Sequence, residues 1–223
     1  TKIKYAPINA SRDKDIINSI NTFMSQLFPD ENLKKYMWEH LASVLIGKNE
    51  NQTFNIYTGA GSNGKSKIVE LMSMILGDYK GTVPITLITQ KRGQIGGTSS
   101  EVAQLKGIRY AVMQEASKGD VINEGILKEL TGGDPLQARA LYKDSITFIP
   151  QFKLVCTLNN LPDIRSNDNG TWRRIRICDF VSLFCENPVD DDPDKPHQFK
   201  IDKNLDKKFK DWSGIFMAML VDK

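Results

Sequence analysis

Thr53-Phe54-Asn55-Ile56-Tyr57-Thr58-Gly59-Ala60-Gly61-Ser62-Asn63-Gly64-Lys65-Ser66 is the stretch that decides the fold. Its first six residues have strand composition. Its last eight fit the pattern in which a glycine is followed five residues later by Gly-Lys-Ser or Gly-Lys-Thr. Consecutive backbone N–H groups converge on one anion only where side chains do not intrude, and Gly59, Gly61 and Gly64 permit that approach. Downstream, Ile68, Leu71, Met72 and Ile75 keep the i, i+3, i+4, i+7 spacing of one buried helical face, and Gly77 stops the helix. Strand, glycine loop and helix in that order put phosphate at a helix N-terminus. Lys65 would reach the β- and γ-phosphates of ATP, and the Ser66 hydroxyl would sit on Mg²⁺. Gly59, Ala60, Gly61, Ser62, Asn63, Gly64, Lys65 and Ser66 are thus the candidate nucleotide-binding residues. Lys65 is expected to face solvent until nucleotide arrives.

Working outward, residues 108–113 read as a buried strand that ends in Gln114-Glu115. In phosphate-loop enzymes an acidic residue at such a strand end holds Mg²⁺ through water or activates the attacking water. Glu115 is the candidate for both tasks, against the bland reading of a solvated loop carboxylate. Residues 152–158 form another buried strand with Asn159-Asn160 at its end. Residues 83–88 and 175–181 supply two more, the last preceded by Trp172-Arg173-Arg174. Buried strands alternating with helices imply an α/β fold with a mostly parallel central sheet and helices on both faces.

Ahead of this core, Ile16, Ile17, Ile20, Phe23, Met24 and Leu27 make an amphipathic helix that Phe28-Pro29-Asp30 breaks. Asp30 can cap a second helix lined by Leu33, Tyr36, Met37, Leu41, Val44 and Leu45. His40 rides on that helix as a half-exposed side chain. The chain therefore divides at residue 50, a small helical segment over 1–50 and the ATPase domain over 51–223. Beyond the first strands, residues 90–100, with Lys91 and Arg92, form a basic loop that is either solvated or faces nucleic acid. Residues 123–130 read as a helix stopped by Gly132-Gly133, and 135–150 as a β-hairpin with Tyr142 and Lys143 near its tip. Residues 187–196 make an exposed loop. Residues 200–210 are charged and helix-compatible, and Ile215, Phe216, Met219 and Leu220 give a last apolar helical face.

A chain of 223 residues, 40% hydrophobic, suits one large domain or a domain with an appendage. No apolar run approaches the ~18 residues of a membrane span, and the first residues lack the apolar stretch of a signal peptide. A net charge of +3 neither demands nor excludes nucleic acid. Cys156, Cys178 and Cys185 show no paired spacing, and the first two fall in apolar runs, which points to buried free thiols in a reducing compartment. His40 and His197 are too few for a zinc site.

The order of parts resembles superfamily-3 helicases, in particular the poxvirus-type primase–helicases of large DNA viruses. The matching pieces are the phosphate loop, the strand ending Gln114-Glu115, and Lys128 with Gly132-Gly133-Asp134-Pro135 through Arg139 and Leu141-Tyr142. Thr157-Leu158-Asn159-Asn160-Leu161-Pro162 and Trp172-Arg173-Arg174-Ile175 followed by Phe180 complete the series. The resemblance implies an AAA+-like ATPase that assembles as a hexameric ring, threads single-stranded DNA through its centre and unwinds duplex. It implies that Asn159 orients the hydrolytic water, and that Arg173 or Arg174 is an arginine finger acting in the neighbouring subunit. Consecutive residues of a strand point to different faces, so at most one of the two has that role. The hairpin around Tyr142-Lys143 would line the channel, and residues 13–48 would belong to a ring-forming collar. A primase domain elsewhere, the absence of a membrane, and action in the host cytoplasm or at a viral replication site are implied in the same way. Many relatives carry two acidic residues where this chain has Gln114-Glu115, which leaves Glu115 as the carboxylate there. Two rival readings stand beside the DNA-translocating ATPase: a phosphate-loop kinase, and a nucleotide-binding assembly module without unwinding.

Overall fold

The computed structural model describes residues 7–9, 11–90, 98–114, 121–162, 164–165, 168–190 and 192–223. In chain order the helices and strands are α1 (Lys14–Leu27), α2 (Glu31–Ser43), β1 (Phe54–Thr58), α3 (Lys65–Leu76), β2 (Lys80–Pro84), α4 (Thr86–Thr89) and α5 (Ser100–Ala103). There follow β3 (Tyr110–Gln114), α6 (Glu124–Thr131), β4 (Leu136–Arg139), β5 (Ser145–Phe148), β6 (Lys153–Thr157), α7 (Asn169–Trp172), β7 (Ile175–Asp179), β8 (Leu183–Cys185), β9 (Gln198–Lys200) and α8 (Leu205–Val221). They fall into two compact units. One holds Ile46–Thr58 and Asp78–Cys178; the other holds Thr1–Leu45, Gly59–Gly77 and Asp179–Lys223.

The first unit is built on a five-stranded sheet in the order β2-β3-β6-β1-β7. Its β2·β3, β3·β6 and β1·β6 pairs are parallel. Phe54, Ile56, Leu154, Val155, Cys156, Ala111, Val112 and Met113 are all buried, because parallel strands covered on both faces need apolar residues at every position rather than at alternate ones. Tyr57, Thr157 and Gln114 stand side by side in the register, so β1, β6 and β3 finish at one sheet edge. Leu127, Leu130, Leu105, Ile88 and Phe152 join the same core. The expected hairpin is present: β4 and β5 pair antiparallel from Leu136↔Phe148 to Arg139↔Ser145. Burial pushes the Cys156 and Cys178 thiols up to about 12, which leaves both free and unreactive.

One strand is displaced from its expected place. Residues 83–88 do not form a strand: β2 runs Lys80–Pro84, and Thr86–Thr89 turns into a short helix. β2 lies at the sheet edge with β3 as its neighbour, so it tolerates Lys80, Gly81 and Thr82, which hid it in the sequence. Pro84, lacking an N–H, ends it, as proline does at edges and strand ends.

The second unit is helical. The Asp30 carboxylate accepts from the Leu33 N–H at 2.7 Å, the expected cap of α2. Phe23, Phe209 and Trp212 meet with ring centroids 5.7 Å apart, and Trp38 meets Phe216 at 5.4 Å, which packs α1 and α2 against α8. The charged stretch after residue 200 and the final apolar face belong to one helix, α8. Strand β7 stops at Asp179, and a second small parallel pair, β8 with β9, brackets the acidic loop. His40 is buried, not half-exposed, and its ring stacks on Tyr36 one helical turn earlier.

Candidate functional site

The glycine loop takes the shape its composition predicts. Gly59, Gly61 and Gly64 have φ of 142°, 103° and 85°, and Ser62 follows at 47°. A Cβ on Gly59 would stand 2.6 Å from the Phe180 carbonyl oxygen, and one on Gly64 would stand 2.2 Å from Leu27 Cδ2. Both positions therefore require glycine twice over, for space and for a left-handed backbone. Gly64 caps α3, and its carbonyl accepts from the Ile68 N–H at 3.1 Å. The Ser62 carbonyl is held by the Phe184 N–H at 2.7 Å. Ala60, Ser62 and Ser66 are exposed, so the loop's outer surface and the Ser66 hydroxyl are open to a ligand.

Lys65 is not solvent-facing. Its ammonium donates to the Gly59 carbonyl at 2.7 Å and to Asn63 Oδ1 at 3.1 Å, and the residue is buried. Oxygens of the loop itself are the acceptors nearest to the ammonium, so the lysine folds back on them. Burial lowers its pKa from the ordinary lysine value, while Asp179 works in the other direction. Asn63 is itself buried, and its Nδ2 donates to the Phe180 carbonyl at 3.2 Å. Sequence reasoning gave Asn63 no role beyond membership of the loop.

The other candidates lie in the sheet unit or on its loops. Asn159 is exposed, two residues past the end of β6, where Thr157 Oγ1 donates to the Met113 carbonyl at 3.3 Å. Glu115 lies outside the described residues, as does the Lys91-Arg92 pair; Gln114 before Glu115 ends β3.

Arg173 and Arg174 are not on a strand. They close the short helix α7, whose last turn points both side chains to one acceptor instead of opposite faces. Gln52 Oε1 accepts from Arg173 at 2.6 Å and from Arg174 at 2.9 Å. Arg174 is buried and also donates to Thr131 Oγ1 at 3.1 Å and the Gly170 carbonyl at 2.6 Å. Arg173 is exposed. The Arg174 carbonyl accepts from the Phe54 N–H at 2.7 Å, so the pair sits where β1 begins. Gln52, with φ of 50°, carried no signal in the sequence.

At the hairpin tip Tyr142 is 95% exposed with φ of 57°, and Lys143 beside it is exposed too. The Lys143 N–H donates to the Ala140 carbonyl at 3.1 Å, and Arg139 Nε donates to the Lys143 carbonyl at 3.1 Å, which holds the turn closed. Among the described residues no group of acidic, histidine or cysteine side chains is arranged to hold a metal ion. Among them, too, no helix is long and apolar enough to cross a membrane.

Comparison with known proteins finds relatives in several viruses. The model of a family of unknown function, DUF5906, matches residues 57–174. The chain is 38% identical over 226 aligned residues, 99% of its length, to a protein named "Putative helicase" in Acanthamoeba polyphaga mimivirus. It is 31% identical, over 90% of its length, to one of the same name in Frog virus 3, and 28% identical, over 99%, to a "Putative primase" of African swine fever virus. It spans 23%, 21% and 23% of those proteins. Among solved structures, an apo form of the NrS-1 C terminal region matches with a TM-score of 0.66 at 14% identity, over all of this chain and 47% of that one. At that identity the likeness speaks for the fold alone.

Proposed function

The chain belongs to the DUF5906 family, and from that premise we propose that it is the ATP-hydrolysing motor segment of a viral replication helicase. Its relatives in large DNA viruses bear helicase and primase names, and a replication role follows from them. The observation that carries the reading is the loop Gly59–Ser66, formed with its lysine inside it and Ser66 exposed at the first turn of α3. The residues fit ATP: backbone N–H groups at a helix start for phosphate, an ammonium for the β- and γ-oxygens, and a free hydroxyl for a metal.

ATP would be held by Gly59–Ser66, and Mg²⁺ by Ser66 and Glu115, where the cation would neutralise charge between the β- and γ-phosphates. Lys65 exchanges the Gly59 carbonyl and Asn63 Oδ1 for phosphate oxygens. Glu115 takes the proton of the attacking water and Asn159 orients that water. The sheet supports this division of labour. β1, β3 and β6 end together, and Gly59, Glu115 and Asn159 follow those ends within one or two residues.

Arg173 is the better arginine finger of the pair. Arg174 is enclosed in hydrogen bonds, whereas Arg173 is exposed. Both lie at the start of β1, and five residues of strand at ~3.3 Å each put them ~17 Å from the strand end that leads into the loop. An arginine there serves a neighbouring copy's nucleotide, which supports a ring, with hexamer as the expected size and residues 1–50 as its collar segment. The exposed Tyr142-Lys143 tip is offered to single-stranded DNA, an aromatic face for bases and a cation for phosphates. The rest of the protein would supply a primase or other replication activity, inside the infected cell.

The test is ATP hydrolysis by the purified chain, with and without single-stranded DNA. The expected outcome is DNA-stimulated turnover, abolished by Lys65→Ala, with Glu115→Gln binding ATP but failing to hydrolyse it. Turnover that needs a small acceptor instead of DNA would identify a kinase. Binding without turnover would identify an assembly module, and normal turnover by Glu115→Gln would remove that residue as the base.

A further inference from the structure

We propose that Asn63 is a positioning residue that holds the loop Gly59–Ser66 in its binding shape and aims Lys65. This rests on reading Gly59–Ser66 as the nucleotide loop. The side-chain amide uses both ends: Oδ1 accepts from the Lys65 ammonium at 3.1 Å, and Nδ2 donates to the Phe180 carbonyl at 3.2 Å. Its orientation is fixed by chemistry. A flipped amide would set its NH₂ against an ammonium and its oxygen against a carbonyl, so only one arrangement satisfies both partners. The group is 3% exposed, so water does not substitute for either bond.

The anchor it reaches is firm. The Phe180 ring packs edge-on against Phe28 with centroids 4.9 Å apart. Ser182 Oγ donates to the Gln26 carbonyl at 2.5 Å, and the Phe184 N–H holds Ser62. Gly59 passes over the bridge so closely that its missing Cβ would lie 2.3 Å from Asn63 Nδ2. The first glycine of the pattern is thus required by Asn63 as well as by the ligand. When phosphate displaces Oδ1 from the lysine, Asn63 remains tied to Phe180, and the cradle keeps its form. Affinity gains because the loop is not ordered at the moment of binding.

Two substitutions separate positioning from packing. Asn63→Asp keeps an acceptor for Lys65 but makes it anionic and removes the donor to Phe180. The carboxylate then competes with phosphate for the lysine and repels it. Asn63→Ala removes both bonds and adds no charge. Titration with a fluorescent ATP analogue should show affinity lowered at least about tenfold in Asn63→Asp, from like-charge juxtaposition. In Asn63→Ala the loss should be about two- to tenfold, from lost hydrogen bonds. Thermal melting without nucleotide should show the opposite order, Asn63→Asp melting no lower than Asn63→Ala, because the ion pair of its carboxylate with Lys65 offsets the repulsion between its other oxygen and the Phe180 carbonyl. Where Asn63→Ala does not fold, Asn63→Asp against the parent chain carries the test. Wild-type affinity in Asn63→Asp, or losses of affinity that simply track melting temperature, would overturn the proposal. A folded parent chain that binds no ATP would overturn the nucleotide reading itself, a result distinct from either.

Discussion

Leu27 Cδ2 occupies the space that a Cβ on Gly64 would need, 2.2 Å from its ideal position. The last residue of α1 therefore forms the back of the glycine loop, and the N-terminal helices are part of the unit that carries it.

Gly64→Ala is accordingly expected to be severe. It meets a leucine and forces alanine to φ of 85°, which costs of order 1–3 kcal/mol for the backbone alone. Adding Leu27→Ala removes the clash but not the backbone term, so the double variant should regain part of the ATP affinity and not all of it. Nucleotide titration and melting of the two variants measure this; full rescue would mean the dihedral is not limiting.

The two arginines should part company. Arg174→Ala breaks three hydrogen bonds to a buried guanidinium and is expected to cost about 2–3 kcal/mol in denaturant unfolding. Arg173→Ala should stay within about 0.5 kcal/mol, as surface changes do. Its ATPase rate should nevertheless fall by roughly 10³ or more, the worth of a finger supplied in trans. Mixing Arg173→Ala with Lys65→Ala should then restore activity at shared interfaces.

At the hairpin tip, Tyr142→Gly should not destabilise the fold, because the exposed ring packs on little and glycine suits its positive φ. It should weaken single-stranded DNA binding by ~1–3 kcal/mol, the value of one stacked base. Lys143→Ala should lower the log–log salt slope by about 0.7, one phosphate contact on a single strand, with DNA-free ATPase unchanged. Binding titrations at several salt concentrations read both; an unaltered slope moves the phosphate contact elsewhere.

Lys128 and Asp168 make an ion pair next to the arginines, and its hydrogen bond, helped by the Gly170 N–H, lowers the Asp168 carboxyl from 3.8 to about 2. A depressed carboxyl stabilises the fold fully above its unfolded value and loses that contribution as pH falls from 3.8 toward about 2. Asp168→Asn keeps the side-chain cap on Gly170 but removes the charge. Its melting temperature should fall below the parent's at pH 7, and the gap should close by about pH 2 and shrink in high salt. A gap that persists in acid would assign the effect to the cap.

Much was legible in the sequence because it is local. Strand, glycine loop and helix follow from β-branched and aromatic residues before Gly59, from positive-φ glycines, and from the apolar spacing after Lys65. The buried-type runs at 108–113 and 152–158 announced a parallel sheet, since such strands bury both faces. Asp30 was readable as a cap, and it accepts from the N–H three residues on; Asn123, read as the first residue of its helix, is a cap of the same kind. The hairpin followed from turn residues between two short extended runs.

What the tertiary structure decided depends on partners far away in the chain. β2 hides in an unpromising Lys-Gly-Thr because an edge strand is supported from one side. His40 is buried although its helical position read as half-exposed, and its ring stacks on Tyr36 of the same helix. No spacing rule links Asn63 to Phe180, or Gln52 to Arg173 and Arg174, across separations of 117, 121 and 122 residues. Lys65 was legible as a candidate for phosphate, but its bonds to the Gly59 carbonyl and Asn63 Oδ1 were not. Residue type and local period determine which groups can bind phosphate. Which acceptors hold each of them is set by the groups the folded chain brings close.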